Sequence, residues 1–138
     1  MLQSSNVLER YWGAIALRGS KANGLEPRVM DLAQGLLNDP SLVVRAVVAE
    51  SLARQGTSKQ LQDSSMEILI EISLREETPW GASMLALNAL CDLGISSQLA
   101  APIKEVFDAK VKSWNSILPE RYSEYPARLV ERLVETAK

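Results

Sequence analysis

The sequence predicts an all-α fold, an α-α superhelix of about seven helices in antiparallel pairs. Three observations predict it. Apolar residues recur at intervals of three and four almost throughout the chain, which is the spacing of one helix face. No segment alternates apolar and polar residues over a strand's length, so no sheet is expected. Related helical segments return after 35 and 38 residues, a period expected of stacked helix pairs.

Taken in order, a first helix spans about Val7 to Leu17, with Val7, Leu8, Tyr11, Ala14, Ile15 and Leu17 on its inner side. Gly19 and the stretch Lys21-Ala22-Asn23-Gly24 end it in a loop. The second helix opens at Glu26-Pro27, where proline suits a first turn, and buries Val29, Leu32, Ala33, Leu36 and Leu37. Asn38-Asp39-Pro40-Ser41 makes a tight turn. The third helix, about Ser41 to Arg54, carries Val43, Val44, Val47, Val48 and Leu52 and closes at Gly56. The fourth, Gln60 to Leu74, turns Leu61, Ile68, Leu69 and Ile72 inward. Glu76-Glu77-Thr78-Pro79 breaks the chain before the fifth, Trp80 to Leu93, which ends at Gly94. The sixth, Gln98 to about Ser113, presents Leu99, Ile103, Val106, Phe107 and Val111. Trp114 to Pro126 holds two prolines and reads as a loop over the end of the stack. A last helix, Ala127 to Ala137, contributes Leu129, Val130, Leu133 and Val134.

The repeat is visible letter by letter. Ala46 to Gly56 reads AVVAESLARQG, and Met84 to Gly94, 38 residues on, reads MLALNALCDLG. Gly13 to Leu17 (GAIAL) matches Val48 to Leu52 (VAESL) at an offset of 35. Ala16, Ser51 and Ala89 each precede a leucine: Leu17, Leu52 and Leu90. Helices pack at distances set by the side chains between them, so small residues at these positions let successive inner helices approach closely.

Leu36 to Gly56, LLNDPSLVVRAVVAESLARQG, resembles a HEAT repeat, in which an outer helix ends in an Asp-Pro turn and an inner helix begins with a Val-Arg pair. Asp39, Val44 and Arg45 match that pattern, and the resemblance implies that the aspartate and arginine tie repeats together. Physically, Asp39 is placed to accept a backbone N–H at the start of the next helix, worth about 1 kcal/mol, and Arg45 to reach a nearby carbonyl or carboxylate. The fifth helix departs from the pattern: Ser83 stands where Arg45 stands, and no aspartate precedes Pro79. A tetratricopeptide array has a period of about 34 and an aromatic pattern that is missing here.

Composition bounds the rest. The chain has 138 residues, enough for one HEAT-like helical domain over residues 1–138, read as a portion of a longer chain because the first helix resembles the middle of a repeat. Apolar residues make up 46%, and the formal charge of −2 gives no general reason to bind nucleic acid or an anionic membrane. The longest apolar run, Tyr11 to Leu17, is far too short to span a bilayer. One cysteine, Cys91, allows no internal disulfide.

No catalytic, cofactor-binding or metal-binding constellation is expected. Histidine, the commonest general base and metal ligand, is absent. Cys91 falls at an apolar position of the fifth helix and reads as a small core thiol. Glu76-Glu77 reads as a solvated turn favouring the next helix through its dipole. Tyr11 and Trp12 are adjacent, so one points to the core and the other to solvent or a partner. Trp80 reads as a plug between helix layers, and Trp114, Tyr122 and Tyr125 as rings around the late loop. Arg10, Tyr11, Trp12 and Trp80 are the candidates for an interaction surface.

A narrower resemblance rests on RYWGAIALR (Arg10 to Arg18), the DPSLVVR segment, ALNALCDLG and the closing EYPARLVERLVETAK. Together these are similar to the helical C-terminal region of bacterial arylsulfatase-type sulfatases. The resemblance implies a non-catalytic accessory domain packed against a catalytic domain, in a parent that is periplasmic or secreted. It also implies that the sulfatase chemistry lies elsewhere: Cys91-Asp92-Leu93-Gly94-Ile95 lacks the Cys/Ser-x-Pro-x-Arg motif. The expected partner is therefore a protein, either that catalytic domain or another chain. A free-standing interaction scaffold is the alternative. A DNA-binding helical repeat, using Arg10, Arg18, Arg45, Arg54, Arg128 and Arg132, is disfavoured by the acidic total.

Overall fold

The computed structural model describes residues 1–20, 25–55, 58–117 and 124–138. Among them the chain is all-helical and contains no strand. The elements are α1 (Val7–Gly19), α2 (Pro27–Gly35), a 3-10 turn (Leu36–Asn38), α3 (Leu42–Gln55), α4 (Lys59–Leu74), α5 (Trp80–Leu93), α6 (Ser97–Asn115) and α7 (Glu124–Thr136). They fall into two compact units, residues 1–69 and 70–138.

In the first unit, Asn6 caps α1 by accepting the Leu8 N–H at 2.9 Å. Pro27 opens α2, where its missing N–H has no intrahelical use. α1 packs along α3. Arg10, in the first turn of α1, meets Asp39 just ahead of α3. At the far ends the Gln55 side-chain amide donates to the Leu17 carbonyl, 38 residues away. Start meets start and end meets end, so the two helices run parallel, as successive inner helices of a repeat should. Val44 and the whole run from Ala46 to Leu52 are buried, which is why α3 shows little amphipathic pattern.

The second unit repeats the arrangement. Along α5 and α7, Tyr125 OH donates to Asn88 Oδ1 at 2.8 Å, the Cys91 thiol to the Leu129 carbonyl at 3.5 Å, and Arg132 to Asp92 at 3.2 Å. These contacts advance in the same direction on both helices, so α5 and α7 are parallel. Cys91 and Leu129 are again 38 residues apart. α6 runs antiparallel to α7, because the Ser97 N–H donates to the Lys138 carbonyl while the Lys138 N–H donates to Ile95. Gly94, at φ +84°, ends α5 in a backbone conformation that side chains resist. Phe107, Ile103, Leu87, Leu90 and Leu133 are fully buried.

Several expectations need correction. Trp114 and Asn115 belong to α6, and Glu124 to Pro126 belong to α7. Pro126 fits there because the N–H groups of a first helical turn have no partner within the helix. Val7, Leu8, Leu99 and Val134, expected inward, are exposed, whereas Met30 is buried in place of half-buried Val29. Ser51 and Ala89 are buried as close stacking requires, but Ala16 faces solvent. The loop Lys21 to Gly24, the closing Gly56 and Tyr122 lie outside the described residues.

Candidate functional site

The Asp-Pro turn is tied by several side-chain hydrogen bonds. Arg10 donates from Nε to Asp39 Oδ2 at 2.6 Å and from Nη2 to Oδ1 at 3.1 Å. Its Nη1 donates to the carbonyls of Ser4 and Ser5. Asp39 also accepts the Ser41 N–H at 2.8 Å, and the Ser41 hydroxyl stands at the capping position of α3, 3.5 Å from the Val44 N–H. Burial pushes the Asp39 carboxyl upward. The Arg10 hydrogen bonds, the Ser41 N–H and the Arg10 charge together outweigh that and hold it below the usual value of 3.8. Arg45 donates to the Leu37 carbonyl at 2.9 Å, and Val44 is fully buried. The aspartate therefore ties neighbouring helices, with Arg10 as its partner, while Arg45 holds the turn's own backbone. Arg10 was expected on an interaction surface. In the structure four of its five N–H donors are engaged within the fold, by one carboxylate and two carbonyls.

The rest of α1 is different. Leu8 is 63% exposed, Trp12 58% and Val7 43%. Leu8 and Trp12 are four residues apart, as are Val7 and Tyr11, so the four side chains form two adjoining stripes. Tyr11 is half-buried, and its ring meets Trp12 edge-on at 5.6 Å. Val7, Leu8 and Tyr11, with Ser41 and Val43, line an open cavity of about 280 Å³. Gly13 lies on the same helix, where an added Cβ would come within 2.8 Å of Leu2, so the N-terminal residues fold closely over α1. Trp80, also expected at a surface, is half-buried in the second unit. Its Nε1 is buried with no acceptor among the described residues, as are the hydroxyls of Ser73 and Thr78.

Arg18, Arg54, Arg128 and Arg132 are in ion pairs. Glu50, buried in α3, lies 3.5 Å from Arg18 and 3.0 Å from Arg54. Arg128 meets Glu124 and Arg132 meets Asp92. With Arg10 and Arg45 accounted for above, each of the six arginines considered for a basic groove has an acceptor.

In the second unit, Cys91 is buried, and burial pushes its thiol up to about 11. Lys110 was not singled out from the sequence, yet it is only 6% exposed. Its Nζ donates to Ser83 Oγ at 3.0 Å and sits 5.3 Å from the centre of the Phe107 ring. The Ser83 hydroxyl in turn donates to the Thr78 carbonyl at 3.3 Å. Burial lowers the Lys110 ammonium to about 8 even though Glu77 and Glu76 pull it upward. Lys110 lines a cavity of about 250 Å³ with Glu76, Val106, Ala109 and Ser113. The sequence signal available was weak: Lys110 lies three residues beyond Phe107 and seven beyond Ile103, on the inner stripe of α6.

Among the described residues no group of three or more Asp, Glu or Cys side chains is placed to hold a metal ion. No helix there is long and apolar enough to cross a membrane. Comparison with protein-family models, curated proteins and solved structures finds no match for this chain.

Proposed function

We propose that the chain is a HEAT-like protein-interaction domain that docks through the exposed face of α1, and that its partner is the catalytic domain of a sulfatase-like hydrolase. The observation that carries the docking face is the exposure of Leu8 and Trp12 together on one helix face, beside an open cavity lined by Val7 and Tyr11. Large apolar side chains grouped in this way mark surfaces meant to be covered. Tyrosine and tryptophan are the residue types that most often anchor protein interfaces. The pairing of Arg10, Arg18, Arg45, Arg54, Arg128 and Arg132 within the fold favours a protein partner over a nucleic acid, which would need free cations for phosphate. The choice of partner rests on the sequence resemblance alone.

The test is a binding assay between this chain and a separately produced sulfatase-like catalytic domain from the same genome, with and without the double substitution Leu8→Ser, Trp12→Ser. Binding by the parent chain and at least about tenfold weaker binding by the variant is expected, since burying two such side chains is worth more than 1.4 kcal/mol. No binding, or equal binding by both, overturns the reading. Binding of the same face to an unrelated protein points instead to a free-standing scaffold.

A further inference from the structure

Lys110 is a second feature, separate from the docking face and unexplained by it. A lysine rarely lies buried in a fold without an ion-pair partner. Here the residue is 6% exposed, and the hydrogen-bond partner of its amine among the described residues is a neutral hydroxyl, that of Ser83. Phe107 flanks it, and Glu76 and Glu77, which raise its proton affinity, do so without an ion pair among the described residues. The side chain opens onto a small cavity whose other walls are the apolar Val106 and Ala109, the hydroxyl-bearing Ser113 and the carboxylate of Glu76. A desolvated amine, an apolar wall and a nearby carboxylate around one cavity are the ingredients of carbonyl chemistry.

We propose that Lys110 forms an imine with small, largely apolar aldehydes that enter this cavity. The amine lone pair adds to the aldehyde carbon as the C=O π bond breaks, a C–N bond forms, and one of the two nitrogen protons passes to the former carbonyl oxygen to make a hydroxyl. Glu76 then takes the second nitrogen proton and gives it to that hydroxyl, the C–O bond breaks to release water, and the nitrogen electron pair forms the C=N bond. The net change is amine plus aldehyde to imine plus water, with no oxidant or reductant consumed. The cavity measures about 250 Å³, room for a small aldehyde.

The experiment treats the intact, folded chain at pH 8 with a limiting amount of propanal and sodium cyanoborohydride, which reduces any imine to a stable secondary amine. Peptide mass mapping then compares Lys110 with the surface residue Lys59 and with Lys104. At that pH an ordinary lysine has less than about 1% of its amine neutral. Lys110 is therefore expected to be alkylated at least about tenfold faster, a preference that disappears in urea. Alkylation of Lys110 no faster than of Lys59 overturns the proposal. Glu76→Gln, a change in an exposed turn, is expected to slow labelling of Lys110 several-fold and leave Lys59 unchanged; an unaltered rate at Lys110 removes Glu76 from the reaction.

Discussion

Arg10 grips both carboxylate oxygens of Asp39 across 29 residues of sequence, and so joins the first turn of α1 to the turn that opens α3. The same guanidinium holds the carbonyls of Ser4 and Ser5, and the same carboxylate holds the Ser41 N–H. The chain entry, the first helix and the Asp-Pro turn are thus fastened at a single point.

Asp39→Ala is expected to destabilise the protein by at least about 1 kcal/mol, the usual cost of losing a carboxylate that holds a helix-entry N–H, with a further loss from Arg10 left without its acceptor. Urea denaturation at pH 7 measures it. Because the folded carboxyl lies below 3.8, its contribution is fully present above that value and declines as pH falls below it. The gap between parent and variant should therefore narrow below about pH 4; a gap that widens in acid would contradict this pairing.

Lys110→Met should stabilise the fold at neutral pH, by roughly 1–3 kcal/mol, because an apolar side chain replaces a buried cation without a buried counter-charge. The folded ammonium titrates near 8 and the unfolded one near 10.5. Between those values the unfolded chain holds more protons, so the lysine form gains stability as pH rises. Melting curves of the two proteins should converge from pH 8 to 10.5; parallel curves would sink the expectation.

Leu8→Ser with Trp12→Ser should leave folding nearly unchanged, within about 0.5 kcal/mol per site, since both side chains are more than half exposed. Circular dichroism and urea midpoints test this independently of any partner. A large loss of stability would mean that the two residues serve the core.

The Cys91 thiol, pushed to about 11 and hydrogen-bonded to the Leu129 carbonyl, should resist a disulfide reagent at pH 8 in the folded protein and react at once in denaturant. Rapid modification of the native protein would show a cavity or opening beside α7.

Much of the fold was legible because its signals are periodic. α5 was placed to the residue, since Pro79 and Gly94 punctuate it, and the 38-residue return of its sequence in α3 matches the separation at which parallel helices touch in both units. The boundary of α7 was missed because a proline in a first turn looks like a break. Faces were misread where a helix edge is left uncovered, as at Val7, Leu8 and Ala16: periodicity reports an apolar stripe but not whether anything lies over it. The role of Arg10 was within reach, since the offset of 35 aligns it with Arg45. Lys110 was hidden because its burial depends on α5 and the turn before it, residues distant in sequence.

The exposed indole of Trp12 also has an optical consequence. The chain has three tryptophans, and Trp80 and Trp114 are partly shielded within the second unit. Red-edge emission, and the fraction quenched by acrylamide, should therefore come mainly from α1. A molecule settling on that helix would shift the spectrum to the blue and protect it from quenching, so the protein reports occupancy of this face without a label.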